Sequence, residues 1–376
     1  MPASAWMPAS RGLQDRCDGS SQRHLLAVKS LQGLRFPASL TFAGAALVHP
    51  RRWSMRVRAL SLFTIVALLF NLLPGAANVS AEGTPVVVTC AATPLAADAT
   101  AFPLVITDDA GRQVTIERSP TRIVSIAPSN TEILFALGLD DRIVGVDSFS
   151  TYPPEAEEKP QVGSYLEPDL ERVVAAEPDL ILATEAHVGT VLPELDALGL
   201  PTVVIEPNDL DEVFSSMLLV GEITGASTRA QQVVCELRAR VDSVVDAVAD
   251  APRPRVFFEL SPDLYTAGPG SYIDDLITRA GGVNVAAGAA EMWPQLSAEA
   301  VVSADPEVIL LADHEAGITA EQVAARPGWQ GMSAVQQGRI VTLTSDPVVR
   351  PGPRVADGLE AIAAALHPDL FPKPGS

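Results

Sequence analysis

From about residue 103 onward, short uninterrupted apolar runs alternate with longer stretches whose apolar residues recur at helical spacing. Apolar runs without polar alternation are typical of parallel strands that are buried on both faces. Seven runs are predicted as strands, four in a first block and three in a second: Ile123–Ile126, Ile143–Val146, Leu180–Ala183 and Thr202–Ile205, then Val256–Leu260, Val308–Leu311 and Ile340–Leu343.

The stretch between the two blocks, about residues 210–249, has an apolar stripe at helical spacing and is interrupted at Gly225-Ala226-Ser227. Strands and helices alternate on both sides of this helical stretch, which indicates two α/β lobes rather than one. The predicted fold class is therefore α/β, with two lobes of parallel sheet joined by one long helical connector and a ligand cleft between the lobes.

An internal repeat supports the division into two lobes. DLERVVAAEPDLILA begins at Asp169, and SAEAVVSADPEVILL begins 128 residues later at Ser297; Tyr165 and Trp293 correspond at the same offset. The pattern predicts an N-capped short helix, an acidic residue and proline that end it, and a buried strand. The alternative is chance similarity between two common helix–strand units.

The repeat also indicates where a ligand would bind, because open parallel sheets bind ligands outside the carboxyl ends of their strands. The residues in that position are Glu185, His187, Asp313, His314 and Glu315. The two histidines are either metal, haem or hydrogen-bonding ligands, or ordinary solvated loop residues. No metal site is predicted, because a protein site for a free metal normally needs three or more ligands.

The N-terminal region has the layout of an export signal. Residues 55–81, MRVRALSLFTIVALLFNLLPGAANVSA, place two arginines before a short apolar run and small residues after it. We predict cleavage after Ala81, with an uncleaved anchor as the alternative, and we interpret residues 1–54 as an over-extended leader. The remaining predicted boundaries are a flexible linker at 82–102, an N-terminal lobe at 103–208, a connecting helix at 209–250 and a C-terminal lobe at 251–372.

Charge and cysteine content fit an exported body. The formal net charge is −20, and residues 1–58 hold nine of the 26 Lys/Arg but only two of the 46 Asp/Glu. The chain after residue 58 is therefore strongly acidic and repels phosphate backbones, which excludes nucleic acid as a partner.

Cys90 and Cys235 could form one disulfide in an oxidising compartment. Lipid attachment at Cys90 is disfavoured, because no small residue precedes it.

Motifs for catalysis are missing from the sequence. It contains no G-x-G-x-x-G after a strand, no G-x-x-x-x-G-K-[ST] and no G-x-S-x-G, so we predict that the protein is not an enzyme and needs no cofactor. Two other classes stay open: a metal- or haem-handling enzyme that uses His187 and His314, and an adhesion or scaffold protein that binds no small molecule.

Several segments resemble a known family. RIVSIAPSN at 122–130 followed by Thr131-Glu132, DSFSTYPPEA from Asp147, MWPQLSAEAVV from Met292 and the PGPR of Pro351–Arg354 are similar to the ABC-transporter solute-binding proteins for vitamin B12 and iron-siderophores. The vitamin B12 binders resemble the chain most. The resemblance extends over about residues 103–370.

The resemblance implies roles for individual residues. Glu171 and Glu299 match the family's two glutamates that dock onto arginines of the membrane subunits. Residues matching ligand-binding positions are Pro128, Ser129, Phe149, Tyr165 and Trp293, to which His187 and Arg350 are added. After the Thr-Ser-Asp segment that begins at Thr344, the B12 binders have an aromatic pair, whereas this chain has Pro347-Val348 followed by Val349 and Arg350. Arg350 either binds an anionic ligand group or is a surface charge beside a turn.

The implied function is that of the extracytoplasmic solute-binding component of an ABC importer. We expect a periplasmic or cell-surface monomer that binds cobalamin or a related corrinoid and delivers it to a permease dimer with its ATPase subunits. Ferric siderophore or haem binding by the same class of protein is the alternative. Association with the membrane would occur through the transporter.

Overall fold

The computed structural model describes residue 90, residues 101–313 and residues 317–371. The predicted leader, the signal peptide, and the linker except for residue 90 and its last two residues lie outside the described residues, as do His314 and Glu315. Within the described part of the chain, no helix has both the length and the apolar character that crossing a bilayer requires. The predicted domain boundaries stay predictions.

The first lobe is built on a four-stranded parallel sheet with the spatial order β4-β3-β5-β6. An antiparallel hairpin that the sequence pattern did not predict precedes this sheet. The strands are β1 (Leu104–Thr107) and β2 (Gln113–Ile116) in the hairpin, then β3 (Ile123–Ser125), β4 (Ile143–Val146), β5 (Leu180–Ala183) and β6 (Thr202–Val204) in the sheet.

The second lobe repeats this topology. Its parallel sheet has the order β8-β7-β9-β10, so in both lobes the first strand lies between the second and the third, and the fourth is at the edge. The strands are β7 (Arg255–Glu259), β8 (Val283–Asn284), β9 (Val308–Leu311) and β10 (Ile340–Thr342). The two-residue strand β8 was not predicted. The predicted fold class of two α/β lobes is confirmed.

Helices flank and connect the sheets. The first lobe contains α1 (Pro128–Ala136), α2 (Leu170–Ala175) and α3 (Leu192–Ala197). The connector is formed by α4 (Leu210–Thr224) and α5 (Ser227–Val248). The second lobe contains α6 (Tyr272–Arg279), α7 (Ala298–Ala304), α8 (Ala320–Ala324), α9 (Ser333–Gln336), α10 (Ser345–Val349) and α11 (Val355–Leu366).

The connector is two packed helices rather than one continuous helix. Gly225 has a φ of 73°, a left-handed conformation that ends α4 in the usual way for glycine. A methyl group at Gly221 would lie 2.4 Å from the Cβ of Ala230, so the absence of a side chain there lets α4 and α5 pack closely. The pair buries the predicted apolar stripe, including Val213, Met217 and Val241.

The structure confirms the helix–strand pattern of the repeat. Asp169 caps α2 by accepting a hydrogen bond from the Arg172 amide, and Ser297 caps α7 by accepting one from the Ala300 amide. Each capped helix leads into the third strand of its sheet, β5 or β9, whose residues are all buried. The two segments therefore occupy equivalent positions in the two lobes.

Both faces of each sheet are covered, as the uninterrupted apolar runs predicted. In β5, Leu180 and Leu182 pack into a core shared with the connector, whereas Ile181 and Ala183 pack against α2 and α3 on the other face. In β7, Val256 and Phe258 join the shared core, while Phe257 packs on Trp329. The connector thus shares one core with both lobes, and the strand ends are held in fixed positions.

Candidate functional site

Tyr165 is the aromatic residue that the first lobe places beside the carboxyl ends of its strands. Its side chain is 5% exposed, and its hydroxyl lies 3.0 Å from the Thr184 hydroxyl, just after β5. Burial raises the pKa of Tyr165, and the nearby carboxylates of Glu206 and Asp147 raise it further. The phenol is therefore a neutral hydrogen-bonding group with one ring edge fixed by the protein.

His187 supports Tyr165 and does not face the cleft. The residue is 0% exposed; its Nδ1 accepts a hydrogen bond from the Thr184 amide at 3.0 Å, and its Nε2 donates to the Tyr165 carbonyl at 2.6 Å. The two rings also meet edge to face at 5.3 Å. Both nitrogens are used inside the protein and burial lowers the pKa of His187, so it is neither a ligand to a bound metal nor a solvated loop histidine.

Trp293 is the aromatic residue of the second lobe that corresponds to Tyr165 in the repeat, and Tyr272 packs against it. Tyr272 is the first residue of α6. Its ring centroid lies 6.4 Å from that of Trp293, and the angle between the two ring planes is 65°. Burial raises the pKa of Tyr272 well above its usual value; Glu206 and Tyr165 raise it further, whereas Arg350 lowers it. The two tyrosines, which belong to different lobes, thus influence each other electrostatically. Trp293 is 38% exposed and offers the open aromatic face.

Two carboxyl groups of the first lobe add polar chemistry to this region. Asp147 follows β4 and accepts hydrogen bonds from the Ser150 hydroxyl at 2.5 Å and the Phe149 amide at 2.8 Å. Burial raises the pKa of Asp147 to about 6 and the pKa of Glu206, which follows β6, to about 7. Glu206 accepts from the Glu185 amide at 3.0 Å. Both groups can exchange a proton near neutral pH.

Arg350 is a buried residue of the lobe junction and not a surface charge. It is 8% exposed and pairs with Asp346 at 2.9 Å and with Glu132 of the other lobe at 3.4 Å. Its charge also acts on Asp147 and Tyr272. Of the two roles that the sequence left open for Arg350, surface charge is wrong, while ligand binding stays a prediction.

Pro128 and Ser129 form the first turn of α1 and not a loop, and both are buried. A methyl group at Gly352 would lie 3.4 Å from the Ser129 carbonyl oxygen, so this turn packs against the second lobe. Phe149 is half-buried beside Asp147. Of these three predicted contacts, Phe149 retains an accessible side chain, and the other two lie within the lobe junction.

Glu171 and Glu299 are exposed in the first turns of α2 and α7. A hydrogen bond from its own amide lowers the pKa of Glu299, with a further contribution from Ser297. Both side chains are thus solvated carboxylates at equivalent positions on the two lobes. The structure leaves them free to meet a partner, and their docking role stays a prediction.

Sequence patterns missed Tyr272, Glu206 and the contacts of Glu132. Tyr272 could have been found from its position at the start of a helix that follows the β7 loop, but nothing in the spacing relates it to Tyr165.

Among the described residues, no group of three or more His, Cys, Asp or Glu side chains is arranged to hold a metal ion. Asp313, predicted as a cleft residue, is buried, and burial together with neighbouring Glu259 raises its pKa to about 7.

Comparison with known proteins finds one matching family model and several similar sequences. The family model for periplasmic binding proteins matches residues 123–347. An uncharacterised ABC transporter substrate-binding lipoprotein of Bacillus subtilis is 33% identical over 72% of this chain and 87% of its own length. A vitamin B12-binding protein of Vibrio cholerae is 31% identical over 65% of this chain and 88% of its own.

Solved structures give the same picture. The crystal structure of the periplasmic vitamin B12-binding protein of Vibrio cholerae aligns with a TM-score of 0.60, over 68% of this chain and 99% of that one, at 29% identity. A periplasmic haem-binding protein of a Roseiflexus species aligns with a TM-score of 0.60 over 66% of this chain and 98% of that one, at 30% identity.

Proposed function

The chain belongs to the periplasmic binding protein family, and on that premise we propose that it binds a corrinoid between its lobes and delivers it to an ABC importer. The family is a class of transport binding proteins and not an enzyme class. The coarse role is therefore capture of a solute outside the cytoplasm for a permease with its ATPase subunits. The identity of the solute is the proposal.

The observation that carries the proposal is the partly open face of Trp293, whose ring packs edge to face against Tyr272. Tyr272 and Tyr165 of the first lobe are only 4% and 5% exposed, so Trp293 supplies the accessible aromatic surface. Aromatic side chains supply large apolar contact area with a polar handle at little conformational cost, which suits a broad, flat macrocycle. The B12-binding relative of Vibrio cholerae makes a corrinoid the first candidate for that macrocycle.

The polar groups near the rings fit the rim of a corrinoid. Its peripheral primary amides both donate and accept hydrogen bonds, so they can be met by carboxyl groups and by a guanidinium alike. Asp147 and Glu206 supply the carboxyls and Arg350 the guanidinium, all within electrostatic reach of the tyrosines.

Haem or a ferric siderophore is the second candidate, since a haem-binding protein is among the structural relatives. Haem iron is usually held by an axial histidine, cysteine, methionine or tyrosine. Among the described cleft residues, His187 has both nitrogens occupied and the Tyr165 hydroxyl is paired with Thr184. A corrinoid needs no protein ligand to its metal, so its binding would not depend on either residue.

Delivery would use the exposed Glu171 and Glu299. Equivalent carboxylates on two lobes can form charge-assisted hydrogen bonds with arginines of two membrane subunits, one lobe to each. We propose that ligand-loaded protein docks through this pair and that ATP hydrolysis in the cytoplasm drives ligand release into the permease.

The test is a tryptophan-fluorescence titration with four ligands: cobalamin, a hydroxamate ferric siderophore, a catecholate ferric siderophore and haem. We expect saturable quenching by cobalamin alone. Saturation by a siderophore or haem but not by cobalamin would reassign the ligand and keep the transport role. If none of the four ligands changes the tryptophan fluorescence, the result would contradict small-molecule capture and favour a scaffold role.

A further inference from the structure

Two sequence motifs without an assigned role meet across the lobes. Thr131-Glu132 lies in α1 of the first lobe, and the Pro351–Arg354 segment precedes α11 in the second lobe. The Glu132 carboxylate accepts two hydrogen bonds from the Arg354 guanidinium, one from Nε to Oε2 at 2.8 Å and one from Nη2 to Oε1 at 2.5 Å. The two residues are 222 positions apart.

Further contacts surround this ion pair. Asp346 pairs with Arg350 at 2.9 Å and with Arg354 at 3.5 Å, so two carboxylates and two guanidinium groups balance in charge. The Arg354 guanidinium also stacks over the Tyr152 ring of the first lobe at 4.1 Å. Glu132, Arg350 and Arg354 are all largely shielded from solvent, so salt screens their attraction little.

Glu132 also determines where Arg350 points. Its carboxylate holds Arg350 from one side at 3.4 Å, while Asp346 holds it from the other at 2.9 Å. In this position Arg350 acts electrostatically on Asp147 and Tyr272, which belong to opposite lobes. Removing one carboxylate of a buried cluster leaves an uncompensated charge, so the arginines would move rather than stay in place.

We propose that Glu132 is a positioning residue whose inter-lobe clasp on Arg350 and Arg354 sets the width of the ligand cleft and aims Arg350 into it. The clasp keeps the two lobes at a binding-competent separation before the ligand arrives. Its benefit to ligand capture rests on the proposed function, whereas its effect on lobe separation does not.

A distance measurement without ligand tests the clasp directly. Nitroxide labels on Leu198→Cys and Val283→Cys, exposed residues of the first and second lobes, report lobe separation by pulsed electron resonance. Cys17→Ser removes the remaining thiol, since Cys90 and Cys235 are joined. We expect one narrow distance peak for the native clasp and a broader peak at longer distance for Glu132→Gln.

Two variants accompany Glu132→Gln. Arg354→Lys keeps the charge but loses the bidentate geometry, so its distance peak should broaden less than that of Glu132→Gln. If Glu132→Gln does not fold, Arg354→Lys tests the clasp in its place. Glu360→Gln is the control, because it weakens an ion pair of the same helix, α11, with Arg240 of the connector. Its peak should match the native one. Unchanged peaks in both clasp variants would overturn the proposal.

Binding kinetics supply a second readout for any ligand that the native protein binds. If the clasp maintains the competent separation, its loss lowers the fraction of competent molecules and hence the apparent association rate. We expect Arg354→Lys to slow association several-fold with little change in dissociation. A change confined to dissociation would show instead that the clasp residues are only ligand contacts.

Discussion

Glu177 and Asp305 share a left-handed backbone conformation, with φ of 47° and 45°, at corresponding positions of the two lobes. Each residue ends the capped helix of the repeat and precedes a proline and a buried strand. Non-glycine residues seldom adopt this conformation, because their Cβ crowds the backbone. Its occurrence at both positions shows that the repeat extends to backbone geometry.

The first prediction concerns these two glutamates. Glu171→Ala combined with Glu299→Ala should leave ligand affinity unchanged and abolish delivery, because both carboxylates are exposed in the first turns of α2 and α7. Transport into vesicles with the cognate permease would measure delivery, and calorimetry would measure affinity.

The chain offers a matched control for that variant. Glu194 and Glu321 are also exposed in the first turns of short helices, one in each lobe, so Glu194→Ala with Glu321→Ala should transport normally. Full transport by the Glu171 and Glu299 double variant would remove these residues from the docking surface.

The second prediction concerns the open aromatic face of the cleft. Trp293→Ala should weaken ligand binding by about 1–3 kcal/mol, because a central aromatic anchor contributes on this scale. Leu198→Ala, at an exposed apolar position of the first lobe, should leave the dissociation constant unchanged. Equal affinities of the Trp293 variant and the native protein would exclude this ring from the site.

The third prediction concerns His187 as a structural residue. His187→Ala removes the hydrogen-bond acceptor of the Thr184 amide and the donor to the Tyr165 carbonyl, and a buried amide left unsatisfied costs about 1–3 kcal/mol. Urea unfolding should therefore show a loss of at least about 1 kcal/mol. An unchanged unfolding free energy together with lost metal or haem binding would identify His187 as a ligand instead.

The fourth prediction concerns the pH dependence of stability. The pKa of Glu206 is raised from 4.5 to about 7 by burial, so its contribution to stability is complete below about pH 4.5 and is lost as pH rises through 7. Glu206→Gln should therefore gain stability relative to the native protein over this range, by on the order of 2–3 kcal/mol. Parallel urea titrations at both ends of the range measure it. A constant difference between the two proteins would contradict the raised pKa.

The fifth prediction concerns the disulfide between Cys90 and Cys235, a pairing that the sequence left open. The cysteines are 145 residues apart, so the bond restrains a long loop of the unfolded chain and should stabilise the fold by about 4–5 kcal/mol in the loop-entropy account. Cys90→Ser with Cys235→Ser should unfold at lower urea than the oxidised native protein. Because the thiol of Cys90 is used in this bond, mass spectrometry should find no lipid on it.

The sequence predicted elements wherever local pattern determines them. Apolar runs located seven of the ten strands formed by the described residues, because strands such as β5 are buried on both faces and contain no polar interruption. Strand β1 was missed because it alternates exposed and buried residues in a short hairpin, and β8 because two residues form no pattern. The connector divides at Gly225, where a left-handed residue ends one helix and a second helix packs back on it.

The site was less predictable, because it depends on residues that are distant in sequence. The family resemblance predicted ligand contacts at Tyr165 and Trp293, and Arg350 was added where the chain departs from the family pattern, but the sequence predicted no contact between them. The pairing of Glu132 with Arg354 arises only when two lobes meet across a shared core. His187 was misjudged because the residue type alone does not show that both nitrogens are used within the lobe.

The most direct test of the corrinoid proposal is a calorimetric titration of the oxidised protein with cobalamin at several temperatures. The account predicts one cobalamin per chain and a negative heat-capacity change, since the aromatic rings of the cleft would bury apolar surface against the macrocycle. Heats indistinguishable from dilution, under conditions where haem or a ferric siderophore binds with saturation, would contradict it.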